Sequence, residues 1–215
     1  SPELRRLIIE TIVSRPVWSE NLRGHVHDAI SSGSELTATI RQQWLADSKN
    51  AGLWNQLFEA KVTTDPAEFL TRFKPAIKLE GDAIRGRMLV KKLCINCHNV
   101  KDEGHHVGPL LSSITNKTND VLLGSIIDPS ATVDASYFNY SILTADGRTY
   151  SGNLETETAT SIMLLAAEGK RTTLLRDDIK MPKASRKSLM PDVMEQDLEF
   201  QDVSDLIQFV QETFR

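Results

Sequence analysis

Both cysteines of the chain lie in one short segment and are followed directly by a histidine, as Cys94, Cys97 and His98. Two thiols at this spacing can form thioether bonds with the two vinyl groups of a haem, and the adjacent imidazole can then bind the iron. The motif therefore predicts one covalently attached haem c. Cys94 and Cys97 would hold the porphyrin, and His98 would be an iron ligand.

Three other interpretations of the motif compete with this one. A thioredoxin-like dithiol is expected near a βαβ pattern, and a structural zinc site takes further ligands from a second Cys or His cluster. The sequence around residues 91–100 has neither context. Two core cysteines beside an unrelated histidine would carry no chemistry at all. Haem attachment is favoured because the complete Cys-x-x-Cys-His motif is specific.

Helical periodicity dominates the chain before the motif and returns at its end. Residues 1–79 place apolar side chains at helical spacing in short, paired segments, which resembles the end of an α-solenoid of HEAT-like helices. The stretches "GDAIRGRMLVKKL" and "NDVLLGSII" predict helices on either side of the motif, and the second ends at Asp128-Pro129. The segment "EFQDVSDLIQFVQETF" predicts a terminal helix.

A β-rich segment interrupts these helices. Residues 137–180 contain runs typical of strands, broken by Asp146-Gly147 and Glu168-Gly169, and both dipeptides are hairpin signals. The sequence therefore predicts a β insert between the helices near the motif and the terminal helix.

Composition limits the classes of partner. The chain has 215 residues, a formal net charge of -4 and no basic stripe that would follow a phosphate backbone, which argues against nucleic acid as a partner. No apolar run approaches the roughly 20 residues needed to cross a bilayer, so no membrane span is predicted. The start "SPELRRLIIE" has no signal-peptide pattern, so we expect either a targeting segment that has been removed or a piece of a longer protein.

The order "GDAIRGRMLVKKLCINCHNV", "GHHVGPLL" and "SLMP", before a terminal "DLIQFV" helix, resembles a class I cytochrome c. With a β insert before "SLMP", it resembles more narrowly the haem-binding domain family of Planctomycetes and Verrucomicrobia type. The resemblance covers residues 80–215 and extends only loosely to the helices before them.

This resemblance implies a fold class that is mainly α with a β insert. The expected order is the solenoid-like region 1–79 and then a cytochrome c domain at 80–215. Residues 137–180 would form a small antiparallel β-barrel between the haem helices and the distal-ligand loop, and would cover one haem edge.

The resemblance also implies roles for individual residues. Gly86 would let the last helix cross closely, with Leu206 and Phe209 at the crossing. The carbonyl of Pro109 would accept a hydrogen bond from the ligating imidazole, which makes the imidazole a more electron-rich ligand. Met190 would be the second iron ligand, and its thioether would favour ferrous iron and raise the reduction potential.

Other side chains near the motif and near Met190 could compete for the iron. They are Met181, Met194, His105 and His106. The chain also departs from the family in two places. Residues 192–194 are Asp-Val-Met where the family has Glu-Gly-Leu, and His105 and His106 stand where it has glycines.

Together these features predict a mono-haem domain that carries single electrons and has no catalysis of its own. The expected electron donor is a dehydrogenase, fused or separate, and the expected acceptor is another cytochrome. Covalent haem attachment implies a periplasmic or otherwise exported protein. Two alternatives from other classes stay open: a haem-based sensor or ligand-binding module with an open or displaceable sixth site, and a zinc or thiol-redox protein without haem.

Overall fold

A computed structural model describes Ile8, Thr11 and the ranges 66–114, 117–191 and 198–214, with the backbone alone for 181–183. The solenoid-like helices predicted for residues 1–79 therefore lie outside the described residues as far as residue 65, apart from two single positions. None of the helices in the described ranges is long and apolar enough to cross a lipid bilayer.

Four α-helices are present in the described residues. They are α1 (Pro66–Phe73), α2 (Ala83–Leu93), α3 (Asn119–Ile127) and α4 (Phe200–Thr213). Short 3₁₀ turns follow α1 at Lys74–Lys78 and precede α3 at Leu111–Ile114. The three helices predicted around the motif and at the end of the chain are confirmed as α2, α3 and α4.

The starts of α2 and α4 are fixed by side-chain caps. The Asp82 carboxylate accepts the amides of Ile84 at 2.8 Å and Arg85 at 3.1 Å, which satisfies amides that have no partner inside α2. At α4, Glu199 and Asp202 form a reciprocal capping box. Both helices therefore begin where local sequence dictates.

In the part of the chain that the structure describes, seven strands belong to two antiparallel sheets. They are β1 (Asn99–Val100), β2 (Glu103–Gly104), β3 (Phe138–Thr144), β4 (Thr149–Glu157), β5 (Ser161–Leu165), β6 (Arg171–Leu175) and β7 (Ile179–Ser188). The small sheet is β1-β2, and the large one has the order β6-β5-β4-β3-β7. The hairpins predicted at Asp146-Gly147 and Glu168-Gly169 are confirmed as the β3–β4 and β5–β6 connections.

The predicted fold class is wrong. The described residues form a large, curled antiparallel sheet beside four α-helices, so the fold is mixed α and β and not mainly α. The predicted closed barrel is also replaced by a half-barrel, in which β6 and β7 are the two edges.

Both edges of the large sheet carry residues that oppose further strand pairing. Pro182 lies in β7 opposite Ile142 of β3, and a proline, which has no N–H, is tolerated in a strand at a sheet edge. At the other edge, Arg171 binds Glu155 with its guanidinium group, and Arg176 binds Glu157 just after β6. Charged side chains and proline at edges oppose further strand pairing.

The helices share one hydrophobic core, and it includes residues before the predicted boundary at 79. Phe73 is 1% exposed, and its ring meets that of Phe200 edge to face, with centroids 5.1 Å apart. Phe69 and Ala76 belong to the same core as Val203 of α4. Residues on both sides of position 79 therefore pack together.

The close helix crossing implied for Gly86 is present. A Cβ atom on Gly86 would lie 2.1 Å from the carbonyl oxygen of Asp205 and 2.7 Å from the Cβ of Phe209. Gly81 presses equally on α4, since its Cβ would lie 2.4 Å from the carbonyl oxygen of Ser204. Glycine is therefore needed where α2 meets α4, and this contact fixes the helix that leads into the cysteine motif.

Candidate functional site

The cysteine motif forms a tight turn at the end of α2. The amide of Cys94 still donates to the carbonyl of Val90 at 2.9 Å, which closes the helix. The amides of Cys97 and His98 then both donate to the carbonyl of Cys94, at 3.0 and 2.8 Å. This turn holds the two thiols and the imidazole together on one short segment.

Both cysteines are free thiols in surroundings that keep them protonated. Burial, and to a smaller extent the neighbouring Cys97, raises the pKa of Cys94 to about 12. Burial followed by the charge of Glu168 raises the pKa of Cys97 to about 11. Neither sulfur is a thiolate near neutral pH, and the thiolate is the form that carries out thiol-disulfide exchange.

The imidazole of His98 is 9% exposed and is oriented by a backbone carbonyl. Its Nδ1 lies 2.7 Å from the carbonyl oxygen of Pro109, so the tautomer that fits this contact has its proton on Nδ1. Nε2 has no hydrogen-bond partner in the described part of the chain. Burial lowers the pKa of His98 more than the bond to Pro109 raises it, so the ring is neutral, which is the form that binds a metal.

Gly108 packs closely against this imidazole. A Cβ atom on Gly108 would lie 2.6 Å from Cε1 of His98, 3.0 Å from Nδ1 and 3.1 Å from Nε2. The amides of Val107 and Gly108 both donate to the carbonyl of Cys97, at 2.9 and 2.7 Å. These two bonds therefore hold the loop that carries Pro109 against the cysteine motif, and the same loop orients His98.

Met190 follows β7 and is half-buried. Its amide donates to the Ser188 hydroxyl at 3.0 Å, and its side chain packs on the helical core that Cys94 and Ile95 also border. The structure thus brings Met190 to the same core as the first cysteine. Met194, the departure at 192–194 and the side chain of Met181 lie outside the described residues.

The two histidines after the motif lie in different surroundings. His106 is exposed, whereas His105 is partly buried beside the β5–β6 hairpin, where a Cβ on Gly169 would be 2.9 Å from its Nδ1. The amide of His105 donates to the carbonyl of Ile95 at 3.1 Å. Their role as competing ligands stays a prediction.

The large sheet contacts the motif directly, which sequence reasoning missed. The amide of Glu168 donates to the carbonyl of Asn96 at 2.6 Å, and the Asn153 side-chain Nδ2 donates to the carbonyl of Val107 at 2.9 Å. Leu165 and Leu189 pack with Val107 against Cys97. One signal was available, because asparagine is depleted in strands and Asn153 interrupts a β-rich run.

A cavity of about 390 Å³ lies elsewhere, between α2, the small sheet and the end of α4. Charged side chains that pair with one another line part of it, including Lys91 and Glu103 at 2.7 Å. None of the five predicted site residues lines this cavity. Of the residues 94–98, only Ile95, which lies between the two cysteines, lines the cavity.

The arrangement of these residues fits a covalently attached haem. The motif offers two protonated thiols and a neutral imidazole whose Nε2 has no hydrogen-bond partner in the described residues, and the glycine at position 108 adds no side chain against that ring. A zinc ion takes four ligands in a structural site. Within the described ranges, no group of three or more His, Cys, Asp and Glu side chains is placed to hold a metal ion.

The comparisons with known proteins do not assign the chain to a family. No protein-family model matches the chain, and no curated protein is significantly similar to it.

Proposed function

We propose that the chain is a mono-haem c-type cytochrome domain that carries single electrons. Cys94 and Cys97 would form the two thioether bonds, and His98 and Met190 would be the iron ligands. The observation that carries the proposal is the imidazole of His98. It directly follows the two thiols, its Nδ1 is oriented by the Pro109 carbonyl, and its Nε2 has no hydrogen-bond partner in the described residues. The cysteine, histidine, glycine-proline and methionine segments also support the resemblance to the haem-binding domain family of Planctomycetes and Verrucomicrobia type.

Haem, when bound, supplies the ferric/ferrous couple that takes up and releases one electron. The residues of the chain would orient the ligands and limit the access of water. The Pro109 carbonyl fixes the tautomer of His98 and increases its electron donation. The apolar contacts of Leu165 and Leu189 with Cys97 would shield one side of the motif.

The proposed role is electron transfer without catalysis by the domain itself. The donor would be a fused or separate dehydrogenase and the acceptor another cytochrome. The location would be periplasmic or otherwise outside the cytoplasm, where covalent haem attachment takes place. The raised pKa values of both thiols weigh against a thiol-redox function, because exchange requires a thiolate.

An absorption spectrum of the exported chain, oxidised and reduced, tests the proposal. We expect a sharp reduced α band and, in the oxidised protein, a weak methionine-to-iron band near the red end. High-spin iron would instead support a haem-based sensor or ligand-binding module, and a missing Soret band would reject both functions.

Covalent attachment is tested by replacing both Cys94 and Cys97 with Ala. The wild-type chain should keep its haem after denaturation, whereas the double variant should release it, because coordination alone would then hold the cofactor. Haem that stays on the denatured double variant would place the attachment elsewhere.

The second ligand is tested by Met190→Ala. This change should remove the red-end band and lower the potential on the order of 0.1 V, within the roughly 0.8 V range that axial ligands set. Met181→Ala and Met194→Ala are the matched controls and should leave the band in place. A larger spectral change in either control, or in His106→Ala, would contradict the assignment of Met190.

A further inference from the structure

The large sheet contacts the loop that orients one proposed iron ligand, His98, and the segment that carries the other, Met190. From β4, the Asn153 side chain donates to the carbonyl of Val107, two residues before Pro109. At the end of β7, the Ser188 hydroxyl accepts the amide of Met190. Both β4 and β7 pair with β3, so one continuous hydrogen-bonded ladder joins the two contacts.

Each contact is buried and fixed. Asn153 is 5% exposed and Ser188 is 7% exposed. Ser188 also donates its own amide to the hydroxyl of Ser130, at 3.2 Å, which holds the end of β7 next to the helical part. A hydrogen bond in such surroundings constrains its partner more than one in water would.

The Asn153 side chain makes a single hydrogen bond within the described residues. Its Oδ1 is buried and has no hydrogen-bond partner in the described residues. What the amide contributes is the bond from Nδ2 to Val107.

We propose that the large sheet sets the positions of both iron ligands, with Asn153 and Ser188 as its positioning residues. This inference rests on the proposed haem function. Asn153 acts on His98 through Val107, Gly108 and Pro109, because that loop is held between the sheet and the carbonyl of Cys97. Ser188 acts on Met190 through its backbone amide.

The two contacts predict potential shifts of opposite sign. Without the Asn153 bond, the Pro109 carbonyl is less firmly held against Nδ1 of His98, so the imidazole donates less electron density and the potential rises. Without the Ser188 acceptor, Met190 is held less firmly, so the red-end band weakens and the potential falls. A general loss of stability would not give opposite signs.

The proximal test compares Asn153→Leu with Asn139→Leu. Asn139 lies directly opposite Asn153 on β3, and its buried Oδ1 also lacks a partner in the described residues. Leucine suits the apolar surroundings of position 153, and Asn153→Ala serves as a second variant if leucine does not fit. We expect Asn153→Leu to raise the potential and shift the NMR resonance of the His98 Nδ1 proton, while Asn139→Leu changes neither.

The distal test compares Ser188→Ala with Ser185→Ala on the same strand. The Ser185 hydroxyl donates to the carbonyl of Asn139 at 2.7 Å and is exposed, so its loss should leave the Met190 band unchanged. We expect Ser188→Ala to weaken that band and lower the potential. Equal effects of the two serine variants would overturn the distal half of the proposal.

Hydrogen exchange gives a readout that does not depend on electron transfer. The amides of Val107 and Gly108 should exchange faster in Asn153→Leu than in the wild type or in Asn139→Leu, because their loop loses its bond to the sheet. If the chain binds no haem, the proposed function fails. If it binds haem but Asn153→Leu leaves the potential, the His98 resonance and these exchange rates unchanged, the positioning role of the sheet is refuted and the haem function is not.

Discussion

Replacing Gly86 with Ala should force α2 and α4 apart. The new Cβ would lie 2.1 Å from the carbonyl oxygen of Asp205, about 1.3 Å closer than ordinary van der Waals contact. It would also lie 2.7 Å from the Cβ of Phe209. A backbone carbonyl and a Cβ atom cannot move aside by changing rotamer, so the helices themselves must separate.

The expected destabilisation can be estimated from two opposing effects. Overpacking a filled contact costs about 1 to 3 kcal/mol, and the rigid obstacle at Gly86 places the cost near the upper end. Alanine recovers about 0.5 to 1 kcal/mol relative to glycine inside a helix. The free energy of unfolding should therefore fall by about 2 kcal/mol, which corresponds to a Tm lower by roughly 4 to 8 °C in a chain of this size.

Gly124 provides the matched control, since it also lies inside a helix. A Cβ on Gly124 would meet nothing within 4 Å, so Gly124→Ala should stabilise α3 by about 0.5 to 1 kcal/mol. Urea unfolding followed by far-UV circular dichroism compares the two variants, and an unchanged slope would show that the difference lies in stability. If Gly86→Ala unfolds at the same urea concentration as Gly124→Ala or at a higher one, the close crossing of α2 and α4 is refuted.

Three further predictions concern other contacts. Gly108→Ala should displace the imidazole of His98, because the new Cβ would lie 2.6 Å from its Cε1, and should therefore weaken the bond from Nε2 to iron and change the absorption spectrum; an unchanged spectrum would contradict it. Burial raises the pKa of Asp205, but hydrogen bonds from neighbouring side chains and a backbone amide outweigh it and hold the pKa below its usual value, so Asp205→Asn should destabilise the chain at pH 7. Because a lowered carboxylate pKa stabilises the fold above the unfolded value and the effect is lost as pH falls, the difference from wild type in urea titrations should shrink below about pH 4 and not above it. A chain that begins at Leu79 should be less stable by several kcal/mol than one that begins at Pro66, because it loses two core phenylalanines; equal urea midpoints would contradict this.

The features that the sequence predicted correctly are determined locally. The start of α2 follows from the Asp82 cap, and the two hairpins follow from residues that tolerate positive φ. Gly147 has φ of +78°, and Glu168 and Gly169 adopt 61° and 69°. Such features depend on a few neighbouring residues, so the pattern of the sequence contains them.

The features that the sequence did not predict depend on contacts between distant segments. The stretch around Pro182 carries lysines, an arginine and a proline, which favour an exposed loop, yet it forms strand β7 because β3 offers it an edge to pair with. The bond from Asn153 to Val107 joins residues 46 positions apart. Periodicity counts side chains along one segment, so it cannot indicate which edge is free or which carbonyl lies opposite an amide.

Burial in the cysteine motif favours the neutral form of both the two thiols, which are acids, and the imidazole, which is a base. It raises the pKa of Cys94 and Cys97 and lowers that of His98, because in each case it disfavours the charged form. A catalytic dithiol needs the opposite environment, with positive charge or a helix N-terminus near the sulfur. Cys94 instead ends α2, at the helix terminus where the dipole disfavours a thiolate. Neutral thiols beside a neutral imidazole therefore suit a segment that holds a cofactor in place better than one that exchanges disulfides.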